Sequence, residues 1–76
     1  MNSEEALIKY YGGKAHYVNG KLSNVNGKPV WYSNGKISKI GNDSVWYYND
    51  NLNKVGGAQV HYVNGKIVKI GGTRIY

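Results

Sequence analysis

The sequence repeats itself every 15 residues without a gap. One column of the repeat holds only tyrosine, at Tyr17, Tyr32, Tyr47 and Tyr62. The column before it holds rings, at His16, Trp31, Trp46, His61 and Tyr76. A fixed period is the signature of an architecture in which each repeat is one supersecondary unit that cannot bury its apolar side alone. The chain is therefore expected to be a row of about five small, similar units.

Each repeat contains two turn signals. The first is Asn-Gly, or Asn-Asp in the third full repeat, and these residues accept the positive φ that a two-residue type I′ hairpin turn requires. The second signal combines Gly and Asn, at Asn26-Gly27, Gly41-Asn42, Gly56-Gly57 and Gly71-Gly72. Only five or six residues rich in Val, Ile, Tyr and Trp lie between turns, which is a usual strand length and too short for a helix.

The turns predict an all-β antiparallel meander of about ten short strands from five 15-residue hairpin repeats, in an open or coiled, largely single-layer sheet. The expected strands are 6–10, 13–18, 21–25, 28–33, 36–40, 43–48, 51–55, 58–63, 66–70 and 73–76. Residues 1–5 form an N-terminal tail in this interpretation, and 6–76 form one domain. Laid flat, the ribbon would be on the order of 45 Å long. Ser3 followed by two glutamates also resembles a helix start, so a short helix is the alternative to the first strand.

The odd length of the repeat determines how its columns lie on the sheet. Across two-residue turns, paired residues share a face, so equivalent residues keep one face only if the repeat length is even. Either Trp31 and Trp46 lie on opposite faces, or each repeat holds one extra residue, expected in the second, glycine-containing turn. Both arrangements predict a sheet that is wetted or contacted on both faces. Such a sheet is expected to coil strongly, fold over or pair with a second copy.

The composition is that of a small, folded, basic domain. Ten Lys and Arg against four Asp and Glu give a formal net charge of +6, and 41% of residues are hydrophobic, which is too many for a disordered basic tail. There is no Cys, so disulfides and thiolate metal sites are excluded. No apolar run is long enough for a membrane span, and the acidic start Glu4-Glu5 is unlike a signal peptide, so the default expectation is a cytoplasmic protein without a membrane partner.

No residue pattern predicts catalysis. Asp43 and Asp50 lie at or beside turns, so no rigid frame places a pair of acids for general acid and base work. His16 and His61 are three repeats apart and have no further metal ligands nearby. The glycine pairs are not followed by the helix that a phosphate-binding loop requires. The sequence predicts no enzymatic activity, no cofactor and no metal site.

The basic and aromatic columns predict a binding surface. Interleaved lysines and rings can neutralise phosphates and stack bases, although lysine on strands also prevents aggregation and tyrosine also packs across strands. The candidate partner-binding residues are Trp31, Trp46, Tyr17, Tyr32, Tyr47, Tyr62, Lys39, Lys54 and Lys69.

Two segments carry a resemblance to known families. They are Trp31-Tyr32-Ser33-Asn34-Gly35-Lys36-Ile37 and Val45-Trp46-Tyr47-Tyr48-Asn49-Asp50-Asn51-Leu52. They resemble the aromatic hairpin repeats of choline-binding and cell-wall-binding modules, and the Tyr-x-Asn-Gly-Lys hairpins of MORN-type repeats. The resemblance implies a hairpin-repeat architecture and a general binding role.

The expected function is therefore that of a non-catalytic binding module. The first expectation is that its basic aromatic sheet contacts an acidic protein partner, with the chain self-associating as a homodimer and serving as a phage or viral accessory protein. One alternative is RNA or single-stranded DNA binding through the lysine and tyrosine surface. The other is glycan or cell-wall binding by stacking on Trp and Tyr.

Overall fold

A computed structural model describes residues 2–75 of the chain. In this part of the chain one short helix precedes nine strands, which form a single antiparallel sheet in sequence order. The elements are α1 Ser3–Tyr10, β1 Ala15–Val18, β2 Lys21–Val25, β3 Lys28–Ser33, β4 Lys36–Ile40, β5 Asp43–Tyr48, β6 Asn51–Val55, β7 Ala58–Val63, β8 Lys66–Ile70 and β9 Thr73–Arg74. The prediction of an all-β, single-layer antiparallel meander is confirmed.

The two turns of a repeat have different backbone conformations. At the first turn both central residues have positive φ, for example 53° at Asn34 and 79° at Gly35, as a type I′ turn requires. At the second turn of the later repeats only the first residue does, for example Gly41 at 59°, which fits a type II′ turn. Both turns therefore join their strands through two residues, as the sequence predicts for the first turn.

A β-bulge within each first hairpin supplies the extra residue. Trp31 pairs with Lys39, but the next residue, Tyr32, pairs with Ile37, so Ser38 is left without a partner across the ladder. The same shift leaves Ser23, Asn53 and Val68 unpaired in the other hairpins. Of the two predicted arrangements, the one in which an extra residue keeps each column on one face is observed, but its expected placement in the second turn is wrong. That turn closes directly, with Ile40 opposite Asp43.

The sheet has one dry face, contrary to the expectation that both faces would be wetted or contacted. Its buried side chains recur with the repeat and join those of the helix in one cluster: Ala6, Leu7, Leu22, Val25, Ile37, Ile40, Val45, Leu52, Val55, Val60, Ile67, Ile70 and Ile75. The bulge is the physical reason for the difference. The bulge places residues three apart, such as Ile37 and Ile40, on the same side of the sheet. The sequence therefore lacks the simple alternation of apolar and polar residues that marks a half-buried strand. We call this side the core face and the other the outer face.

Residues 6–10, predicted as the first strand, are helical, so this prediction is wrong and the alternative is correct. The side chain of Asn2 accepts a hydrogen bond from the Glu5 backbone, and the Glu5 side chain accepts one from the Asn2 backbone, which together form a capping box. Ala6 and Leu7 are fully buried in the core cluster. Capping and burial together outweigh the repeat phase here, and the helix crosses the predicted boundary between tail and domain.

The sheet curls around the helix. Eight spacings of about 4.8 Å would make nine flat strands roughly 38 Å wide, whereas the longest extent of the molecule is 33 Å. An eight-residue helix is about 12 Å long, yet Glu4 bonds Tyr17 in β1, Tyr11 bonds Asp43 in β5, and α1 also contacts β8. Strands this far apart in a flat sheet can reach one short helix only if the sheet bends. Strong coiling, one of the three predicted outcomes, is therefore observed.

Within the described residues, no helix has both the length and the apolar character needed to cross a membrane.

Candidate binding face

The tyrosine column lies on the core side of the sheet and joins neighbouring hairpins. The hydroxyl of Tyr47 donates a hydrogen bond of 2.9 Å to the Ile37 carbonyl, ten residues earlier in the chain. Tyr32 does the same to Leu22 at 3.0 Å, and Tyr62 does so to Leu52. The Tyr47 bond connects β4 and β5 beyond the end of their ladder, because these strands pair only at Lys39 with Ser44 and at Ile40 with Asp43. The bonds of Tyr32 and Tyr62 connect the other neighbouring hairpins in the same way.

Partial burial and covering lysines hold Tyr32 and Tyr47 in place, whereas Tyr62 is 39% exposed. Desolvation raises the pKa of Tyr32, Tyr47 and Tyr62 above the usual value. The ammonium of Lys21 lies 4.4 Å from the ring centre of Tyr32, and that of Lys36 lies 5.1 Å from the ring centre of Tyr47. The hydroxyl bonds give all three tyrosines a structural role, which sets them apart from the other predicted binding residues.

Tyr17 stands at the start of the column and makes a different contact. Its hydroxyl donates a hydrogen bond of 3.0 Å to Glu4 Oε2 on the helix, and that bond is the main reason why its pKa is raised. The side chain is 48% exposed. Tyr17 therefore links the helix to β1 and does not lie with the tryptophans.

The ring column and the lysine column lie side by side on the outer face. Across each first hairpin a ring is paired with an amide or an ammonium: His16 with Asn24, Trp31 with Lys39, Trp46 with Lys54, and His61 with Lys69. Trp31 and Trp46 are 48% and 57% exposed, and Lys39 Nζ lies 5.4 Å from the Trp31 ring centre. The structure thus brings five of the predicted binding residues together. We call Trp31, Lys39, Trp46, Lys54, His61 and Lys69 the ring–lysine row.

Exposed side chains that the sequence prediction missed flank this row. Tyr48 is 70% exposed and lies on the same face of β5 as Trp46, two residues away. Val18 and Val63 occupy the equivalent place in β1 and β7 and are also exposed. The spacing of Trp46 and Tyr48, two residues apart in one strand, indicates that they share a face. The sequence does not show which face of the strand lies outside, because that depends on the bulge.

All four acidic side chains of the chain make their contacts elsewhere. Glu4 accepts from Tyr17, Glu5 closes the capping box, and Asp43 accepts from Tyr11 at 2.8 Å. Asp50 forms an ion pair with Lys36, and that contact lowers the pKa of the Asp50 carboxyl. Within residues 2–75, the lysines of the ring–lysine row therefore have no side-chain carboxylate to neutralise them.

A groove of about 380 Å³ lies beside Tyr47, between the tips of two hairpins. Its lining combines Ser33, Asn34 and Ser38 with the Lys36–Asp50 ion pair, over Ile37, Val45 and Tyr47. Its only charged groups neutralise each other. Among residues 2–75 no three His, Cys, Asp or Glu side chains are grouped so that they could hold a metal ion.

Comparison with protein-family models, with curated proteins and with solved structures finds no match to this chain. The resemblance to choline-binding and MORN-type repeats therefore stays a prediction.

Proposed function

We propose that this protein is a non-catalytic binding module and that its outer face binds an acidic partner through the ring–lysine row. The observation that carries the proposal is the pairing of exposed rings with lysines on a face where the acidic side chains of the described residues make no contact. With a formal charge of +6 the molecule attracts polyanions at long range, and the row gives them a place of contact. An acidic protein surface and a single-stranded nucleic acid both meet this requirement.

The site of binding can be tested with a matched pair of double variants. We expect K39Q/K69Q to weaken binding to poly-L-glutamate or to a poly-dT oligonucleotide by roughly 5- to 30-fold, since two surface contacts are worth about 0.5–1 kcal/mol each. Fluorescence anisotropy at low salt measures the affinity.

The control is K9Q/K14Q, which removes the same charge from exposed lysines outside the row. Lys9 lies on the helix, which packs against the core face. We expect this variant to bind nearly as well as the parent chain. Equal losses in the two variants would mean that net charge alone drives binding and that the outer face is no site.

Glycan binding through Trp31 and Trp46 is a second candidate, because both rings are about half exposed. Stacking on a neutral sugar does not depend on salt, whereas contact with a polyanion weakens steeply as salt rises. Binding to a cell-wall glycan that survives high salt and is lost in W46A would support this candidate. The predicted homodimer is tested separately by sedimentation equilibrium.

A further inference from the structure

The ring column is uniform in chemistry. Each of its four positions in the described sheet carries a planar ring, and none carries an aliphatic side chain: His16, Trp31, Trp46 and His61. Trp and His are side chains on which unpaired bases stack, and stacking tolerates every base because each has a flat face. A protein interface does not require rings at every position, and it is typically depleted in lysine.

The lysine column fits the same ligand. Lys39, Lys54 and Lys69 recur once per repeat beside the rings, so cations and flat surfaces alternate along the row. Each repeat advances the row by two strands and by two residues along the strand, because Lys39 pairs with Ser44 while Lys54 pairs with Trp46. At about 4.8 Å per strand and 3.4 Å per residue, successive lysines are roughly 12 Å apart across the sheet. The row is therefore an extended track that suits a linear polymer.

Building on the proposed function, we infer that the acidic partner is a single-stranded nucleic acid that lies along the ring–lysine row, with bases on the rings and phosphates on the lysines. Charge complementarity favours a polyanion, and the exposed rings favour one that carries flat groups. A duplex keeps its bases stacked inside, so it cannot use the rings. An acidic peptide supplies charge without flat groups.

The test compares three probes on the full chain: a poly-dT oligonucleotide, a blunt-ended DNA duplex of equal charge, and poly-L-glutamate. Affinity is measured by anisotropy over a range of salt concentrations. We expect the single strand to bind tightest, with quenching of tryptophan fluorescence. W46L is expected to weaken its binding by roughly 5- to 150-fold, because one stacked base is lost. W46Y keeps a ring and is expected to retain most of the affinity.

The salt dependence separates the two kinds of contact. K54Q is expected to reduce the slope of log affinity against log salt by about 0.7, the contribution of one phosphate contact on a single strand. W46L is expected to leave that slope unchanged. V63A is the apolar control, because Val63 is exposed on the outer face outside the row, and it is expected to bind like the parent chain.

Two results would overturn the inference, and they differ in what they leave standing. If poly-L-glutamate or the blunt-ended DNA duplex binds as tightly as the single strand, and K54Q weakens that binding, the partner is another polyanion and the proposed function holds. If K54Q and W46L change the binding of none of the three probes, both the inference and the proposed function fail.

Discussion

At the residue scale, each first turn depends on two backbone positions of positive φ. Gly35 has φ of 79° and Asp50 has 64°, so the third full repeat places a residue with a Cβ where its neighbours have glycine. Asp tolerates this region better than most residues because its short polar side chain bonds locally. At this position Asp50 also forms the ion pair with Lys36, which joins two neighbouring hairpins.

Glycine at position 35 is therefore required by its backbone conformation and not by a lack of space. An added Cβ there would meet nothing within 4 Å, and the same holds at Gly57, which is outside the region of positive φ. We expect G35A to lower the free energy of unfolding by about 1–2 kcal/mol. G57A is expected to leave it unchanged or raise it by up to about 1 kcal/mol. Urea unfolding measures both, and equal effects would contradict the turn assignment.

At the element scale, the stability of the sheet depends on how neighbouring hairpins are joined. Each first hairpin is held by four paired positions, whereas β4 and β5 share only two. The tyrosine hydroxyl bonds add a contact where that ladder ends. The sequence predicts the tyrosine column, but it does not show that this column points to the core side, because that depends on a bulge at Ser38 that no glycine marks.

The hydroxyl bond can be removed without changing the ring. Y47F deletes the bond to the Ile37 carbonyl in a half-buried place and is expected to lower the free energy of unfolding by about 0.5–1.5 kcal/mol. Y48F is the matched control, since Tyr48 is 70% exposed and the structure gives its hydroxyl no hydrogen bond. We expect that variant to unfold like the parent chain. A Y47F variant as stable as Y48F would show that the bond contributes nothing.

At the scale of the whole molecule, the helix and the curled sheet form one core. The sequence predicts the strands closely, because their turns carry Asn and Gly at fixed spacing. It fails at residues 6–10, where Leu7 fits the repeat phase of a strand but is buried as part of a capped helix. The sequence predicts five of the six members of the ring–lysine row, including Trp46 and Lys54, but not His61. The direct pairing of Trp46 with Lys54 was not predicted, because it follows from the bulge.

The contact between Tyr11 and Asp43 links the end of the helix to β5. Its contribution to the free energy of unfolding should depend on pH. Burial, followed by the hydrogen bond to Asp43, raises the pKa of the Tyr11 hydroxyl well above its usual value. The pKa of tyrosine in the unfolded chain is about 10. Below that pH the folded and unfolded states both keep the Tyr11 proton, so the contact contributes fully to the free energy of unfolding. Above it the unfolded state loses its proton first, so the free energy of unfolding falls as pH rises.

We therefore expect Y11F to be less stable than the parent chain near pH 8, because it lacks the bond to Asp43. The difference should shrink as pH rises above about 10, since only the parent chain has this hydroxyl to deprotonate on unfolding. Urea unfolding at several pH values between about 8 and 11 measures the difference, and a tyrosinate absorbance titration follows the hydroxyls. A difference that stays constant or widens over this range would show that Tyr11 does not retain its proton in the folded protein.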